Sequence, residues 1–193
     1  RLDEVVKEHP ADLAACAYCG VFRRDTLERY ADDLAADKLL TGHNLDDEAQ
    51  TALMNLFEGN VEQMAKHYDA SIAPFDDRTE APFIPRAKPM REVPEKEVAL
   101  YARLAELPAH IAECPHAAEA YRGEIRDLLL EMEERHPGTR HSIMAGYEEL
   151  AALAAERYKR NTETALSSCG QCGAPTTRDL CRKCTLVEAV NAD

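Results

Sequence analysis

The stretch KLLTGHNLDDEAQT, Lys38 to Thr51, decides how the rest of the chain is read. Lys38 to Thr41 is a short apolar run entering Gly42-His43-Asn44, and residues 45–57 then take up helical period. A buried strand, a glycine-containing turn and a helix with an acidic first turn make an α/β unit. In open α/β sheets, ligands bind at the carboxyl ends of the strands. The backbone N–H groups that open such a helix suit a phosphate. Asp46 and Asp47 can hold Mg²⁺ or orient a reacting group. The alternative is that both acids only cap the helix and satisfy its dipole. No G-x4-G-K-[ST] loop is present.

Working outward, residues 1–15 read as the end of a helix and a loop reaching Cys16. Residues 25–36 read as a helix with Leu27, Tyr30 and Leu34 on one side. Residues 69–92 carry Pro74, Pro82, Pro85 and Pro89, which leaves room for one edge strand, around 87–93. Pro94 suits the first position of a helix over 94–107, with Glu95 and Glu97 at its positive end. Tyr121, Ile125, Leu128, Leu129 and Met132 mark an amphipathic helix over 119–135, stopped by His136-Pro137-Gly138. A last helix covers about 140–160, with Ile143, Tyr147, Leu150 and Tyr158 inward, and 161–168 is a polar linker. No long apolar run could span a bilayer and no signal peptide opens the chain, so a cytoplasmic protein is expected. The chain starts at Arg1 without Met, which suggests a truncated N-terminus.

Seven cysteines divide four plus three. Cys169-x2-Cys172 and Cys181-x2-Cys184 grip one ion from two sides, the closed tetrahedral arrangement of structural zinc. So small a module cannot bury a core, and its metal must supply folding energy. The alternative, two disulfides or a redox dithiol, fits a cytosolic chain poorly. Cys16-Ala17-Tyr18-Cys19 has no partner pair nearby, and the remaining thiol is Cys114, before Pro115-His116. Read as bare residues, Cys16 and Cys19 are a redox dithiol or half a lost zinc site, with Cys114 a buried core thiol, or all three cysteines are ligands of one metal centre. Three thiolates fill three corners of a cubane iron–sulfur cluster and leave one iron open for sulfur. With His116 or His43 as a fourth ligand the centre would be zinc.

Taken in order, CAYCGVFRR, TGHNLDDEAQT, PRAKPMREVPEKEV, ECP and CGQCG…CRKC resemble the TtcA/TtuA group of tRNA 2-thiolation enzymes over nearly the whole chain. The CGVFRR stretch is closest to the archaeal and eukaryotic cytosolic branch acting on the wobble uridine; a sister branch acts on a T-loop uridine. The resemblance implies an α/β ATP-pyrophosphatase (PP-loop, Rossmann-like) domain, partial here, over 1–115. A helical extension over 116–162 and a zinc module over 163–193 follow it. It implies an enzyme in which ATP adenylates a uridine 2-oxygen and sulfur displaces AMP. It places Cys16, Cys19 and Cys114 on a [4Fe-4S] cluster, with Cys16 and Cys114 serving catalysis, and Cys169, Cys172, Cys181 and Cys184 on Zn²⁺. Arg23 and Gly42 match nucleotide contacts, with His43 in the same motif, and Asp47 matches a catalytic carboxylate. Implied partners are tRNA, a ubiquitin-like sulfur carrier with a C-terminal thiocarboxylate, and a second copy in a homodimer. The family's Ser-Gly-Gly-x-Asp-Ser loop and N-terminal zinc module are absent from these residues. The 193 residues alone are therefore not expected to adenylate tRNA. The competing readings are an inactive zinc-containing tRNA-binding protein and a T-loop uridine thiolase.

Charge sets a constraint on all of these. The net charge is −13, from 36 acidic and 23 basic residues, and only 7 of the basic residues are lysine. Phosphate contacts need Lys and Arg, so a local basic surface is required, with Arg23, Arg24, Arg86, Lys88 and Arg91 as candidates. Many acids and few lysines suit a protein kept soluble in concentrated salt; the alternative is an ordinary acidic cytosolic enzyme. The salt reading predicts a thermal midpoint that rises from dilute buffer to molar KCl. A midpoint that stays level or falls would show the acidic surface to have no such role.

Overall fold

The computed structural model describes residues 14–68, 83–109, 114–116, 121–159 and 167–191. Contacts group the chain into two units, each built from separated stretches. The first comprises Arg1–Leu39, Arg78–Pro85 and Glu163–Asp193; the second, Leu40–Asp77 and Arg86–Thr162. These groupings cut across the boundaries read from the sequence. The helices of the expected extension share one core with the helix after the Gly42 turn, and the four-cysteine segment groups with the helix that carries Cys16.

In the first unit, α1 runs over Ala15–Asp33. It begins ten residues earlier than periodicity suggested, because the region around Cys16 carries no strong apolar stripe. The expected inward face is not buried: Tyr30 and Leu34 are 62% and 77% exposed, and the buried positions are Ala15, Tyr18 and Ala31. The four-cysteine segment forms β3 (Ser167–Ser168), β4 (Pro175–Thr176) and α7 (Arg182–Asn191). β3 and β4 pair antiparallel, with Ser167 opposite Thr176, and α7 packs on α1.

The second unit opens at Leu40, within β1 (Leu39–Leu40), which neighbours β2 (Arg86–Ala87) in a two-stranded sheet. Leu39 N–H donates to Pro85 C=O and Thr41 N–H to Ala87 C=O. Both partners advance by two residues in the same direction, the pattern of a parallel pair. The strand is where the sequence put it, but it is not buried: Leu40 is 64% exposed. Then come α2 (Leu45–Phe57), α3 (Val61–His67), α4 (Glu95–Leu104), α5 (Tyr121–Arg135) and α6 (Thr139–Lys159). α3 was not anticipated, since seven residues are too few for periodicity to register.

The core lies between α2, α3, α5 and α6. Leu45, Ala49 and Ala52 face Met64, Ala65, Ile125, Leu129, Met144, Tyr147, Ala151, Ala154 and Ala155. Alanines at these spacings let helix backbones approach closely while keeping helix propensity high. Ile125 and Leu129 are buried as expected, whereas Tyr121, Leu128 and Met132 stay exposed on the flank of α5. On α6, Tyr147 is buried, Ile143 and Tyr158 pack against the core in part, and Leu150 faces outward. The turn into α6 needs glycine, since Gly138 has φ +93°. Glu133 accepts from the N–H groups of Gly138 and Arg140 there.

Leu129→Ala should destabilise the second unit by about 3 kcal/mol, and Leu150→Ala by less than about 0.5 kcal/mol. Urea unfolding of the two variants measures the contrast.

Candidate functional site

The Gly42 turn is built by its neighbours. Asn44 caps α2: its side-chain oxygen accepts from Asp47 N–H at 3.1 Å, while Asp47 Oδ2 accepts from Asn44 N–H at 3.2 Å. This reciprocal capping box explains why Asn and Asp stand three residues apart. His43 Nδ1 lies 2.8 Å from Thr41 Oγ1. Gly42 is exposed, and a Cβ there would meet only the Met90 methyl, at an ordinary 3.5 Å. Packing among the described residues therefore does not demand glycine at this position.

One expectation changes here. The N–H groups opening α2 were read as phosphate donors, but Leu45 N–H donates to Val93 C=O at 3.0 Å and Asp47 N–H to Asn44. Those two donors are already taken, and the turn itself stays presented to a ligand.

Residues 86–95 wrap this turn. Thr41 N–H reaches Ala87 C=O, Leu45 N–H reaches Val93 C=O, and Glu95 N–H donates to Asp46 Oδ2 at 2.7 Å. Asp46 Oδ1 also meets Arg140 Nε at 3.0 Å, both side chains being nearly buried. Asp46 is thus a structural brace. Asp47 keeps a partly exposed side chain, with Arg122 Nη1 at 3.9 Å. Arg122 itself donates to Gln50 Oε1 and Thr51 Oγ1 at 3.2 and 3.1 Å.

Below the turn lies a cluster that the sequence did not announce. Glu48 is 1% exposed. Its Oε1 accepts from Lys88 Nζ at 2.6 Å, and its Oε2 lies 3.1 Å from His67 Nε2. His67 Nδ1 is 3.3 Å from the Tyr147 hydroxyl, which also accepts from Asn55 Nδ2 at 2.9 Å. Burial pushes the Glu48 carboxyl up, but the hydrogen bonds and charges of His67 and Lys88 outweigh it and hold the group at about 2. Burial raises the Tyr147 phenol, with Glu48 adding to the rise and the Asn55 bond opposing it. Glu48 and Lys88 fall within noted motifs and Tyr147 on an expected inward face, but nothing local in the sequence marks His67 as the partner of Glu48, because the pair forms through packing of α2 on α3.

The basic-surface candidates divide accordingly. Lys88 is spent on Glu48, and Arg91 pairs with Glu148, so neither is a free positive charge for phosphate. Arg23 is exposed on α1. With Cys16 and Cys19 it occupies positions i, i+3 and i+7, one face of the helix. Both thiols are exposed. Cys114 is also exposed but belongs to the second unit.

The four-cysteine set does converge. The Sγ atoms of Cys169, Cys172, Cys181 and Cys184 all lie within 4.8 Å of one another, with Cys172 and Cys181 3.6 Å apart. Sulfurs about 2.3 Å from a tetrahedral ion sit roughly 3.8 Å apart, so the donor set fits zinc. Gly173 takes φ +73°, the left-handed turn that closes the first knuckle. Backbone N–H groups of Cys181, Cys172 and Gln171 lower the Cys169 thiol to about 6, favouring the thiolate. Burial and the neighbouring sulfurs push Cys184 up; a dication at the centre would invert that.

No family model matches the chain. It is 66% identical, over its full length, to tRNA 2-thiolation protein NcsA of Haloferax volcanii, covering 60% of that protein. It is 36% identical to cytoplasmic tRNA 2-thiolation protein 1 of Aspergillus niger, over 98% of this chain and 52% of the relative. Along nearly its whole length the chain is similar to tRNA 2-thiolation proteins. Among solved structures it resembles the U34-tRNA thiolase NcsA from Methanococcus maripaludis, which has a [4Fe-4S] cluster. The TM-score is 0.67 at 34% identity, over 90% of this chain and 52% of that one. The chain thus spans about half to three-fifths the length of these relatives. Among the described residues no helix is long and apolar enough to cross a membrane.

The folded-state Glu48 carboxyl lies below its ordinary 4.5. Its contribution to stability is therefore complete above that pH and is lost as pH falls through about 2. Glu48→Gln should flatten the acid limb of the stability–pH curve in urea titrations. Lys88→Met at neutral pH should cost on the order of 3 kcal/mol, by leaving the buried carboxylate short of a partner.

Proposed function

We propose that the protein carrying this chain is an ATP-dependent tRNA-uridine 2-sulfurtransferase acting on the wobble uridine. The observation that carries the reading is the likeness to NcsA proteins along the chain, one of them a thiolase solved with its [4Fe-4S] cluster. In the first step the uridine 2-oxygen attacks the α-phosphorus of ATP and pyrophosphate leaves. A sulfur nucleophile then attacks C2, and AMP leaves with the former 2-oxygen. Activation as an adenylate turns the carbonyl oxygen on C2, otherwise a poor leaving group, into one that can depart.

Arg23 offers a planar, permanently charged fork to the polyphosphate, and Gly42 and His43 border the nucleotide at the turn, with Mg²⁺ accompanying ATP. Asp47 orients the base or moves a proton. Its backbone is fixed by the capping box, and its side chain stays partly exposed on the turn side of α2. Cys16, Cys19 and Cys114 would hold the [4Fe-4S] cluster, which supplies an iron site for sulfur. Support from the structure is the exposure of all three thiols and the shared face of Cys16, Cys19 and Arg23. Zinc at Cys169, Cys172, Cys181 and Cys184 is structural. The reading includes a thiocarboxylated ubiquitin-like protein as sulfur donor, a homodimer and a cytoplasmic setting.

The test is 2-thiouridine formation by the protein expressed anaerobically from its complete gene. Cys16→Ser, Cys19→Ser and Cys114→Ser should each abolish thiolation with little change in circular dichroism, and Asp47→Asn should slow it about 100-fold. Full activity in all three serine variants would remove the cluster role. Absence of 2-thiouridine with the unmodified protein would remove the function.

A further inference from the structure

The helix that carries Cys16 and Cys19 is poorly equipped to hold itself. Its N-cap, Ala14, makes no side-chain hydrogen bond, and no acid stands in the first turn. Of its nineteen residues only Ala15, Tyr18 and Ala31 are buried. Cys16 lies in that first, uncapped turn and Cys19 opens the next one, where a helix end frays unless something outside secures it.

What secures it comes from the other end of the chain. α7 packs on α1 within the first unit. Lys183 stands between Cys181 and Cys184, and its Nζ meets Asp25 Oδ1 at 2.8 Å, each side chain being 19% exposed. Asp25 lies six residues beyond Cys19 on the same helix and also faces Arg29 Nε at 3.7 Å. Lys183 is set by the second knuckle, since Thr185 N–H bonds Cys181 C=O, and Cys184 and Leu186 are buried on either side. Glu28, one turn on from Asp25, accepts from Ile84 N–H at 2.6 Å, a second strap on the same helix. The second knuckle has little apolar interior of its own, so its order depends on the ion that four thiolates enclose.

We infer that the four-cysteine module braces the Cys16–Cys19 helix through Lys183 and Asp25, so that metal at one cysteine set is linked to the order of the other. The module is therefore a positioning element for the first cysteine pair as well as a metal site. Linkage is reciprocal: if the bound ion favours the ordered helix by some factor, the ordered helix raises the ion's affinity by the same factor.

The experiment uses the protein from its complete gene, purified with zinc and without iron. Backbone amide exchange is followed over residues 15–33. Chelator-stripped protein should exchange at least about tenfold faster there, with protection restored by zinc alone. Asp25→Asn and Lys183→Met should each speed exchange roughly two- to fivefold while zinc content stays at that of the unmodified protein, because they break one ion pair and leave the four cysteines in place. The swap Asp25→Lys with Lys183→Asp should recover part of the protection. Exchange in α1 that ignores zinc, or a swap no better than either single change, would overturn the inference. Iron reconstitution is read separately. It depends on the cluster reading: zinc-linked exchange without iron uptake sinks that reading and leaves the brace standing.

Discussion

The Glu48 carboxylate joins three stretches of chain: α2, which carries it; α3, the next helix, through His67; and, forty residues on, the 86–95 segment, through Lys88. A charge removed from water costs several kcal/mol unless its oxygens are satisfied. That cost makes the arrangement specific. Any register of α2 that turned Glu48 away from Lys88 would leave both charges short of partners, so the segment after β2 is held in one place against the turn. The Gly42 turn inherits its shape from this, through the Ala87 and Val93 carbonyls and the Asp46 link to Glu95.

Apolar packing supplies the frame in which such a charge can be held. Alanines of α2 and α6 let the helices approach closely, and the gap is filled by Tyr147, whose ring is buried while its hydroxyl joins Asn55 and His67. One residue serves both the apolar core and the polar cluster. Two motifs that look separate in the sequence, TGHNLDDEAQT and PRAKPMREV, are in structural terms one object: a turn and the strap around it.

The first unit works differently. It has few buried apolar residues, and its order rests on four sulfurs around one centre and on polar straps to α1. Cysteine chemistry therefore does in this unit what helix packing does in the other. In a chain with net charge −13, it also leaves the exposed Arg23 beside the Cys16–Cys19 pair as a local exception to the acidic surface.

The sequence by itself determined the helix after the Gly42 turn, the glycine stop before α6 and the four-cysteine centre, because each is written in neighbouring residues: a cap, a period of 3.6, a left-handed glycine, paired Cys-x2-Cys spacings. It also allowed Asp46 and Asp47 to be either caps or functional groups, and the tertiary structure divided them. Asp46 is consumed by Glu95 N–H and Arg140, while Asp47 caps the helix and keeps an open flank. Only the tertiary structure decided that Lys88 and Arg91 face carboxylates, that Leu34 and Leu40 face solvent, and that Glu48 pairs with His67. Local pattern reports how a segment would like to fold; which charge meets which, and which apolar face finds a partner, depends on chain brought near from elsewhere.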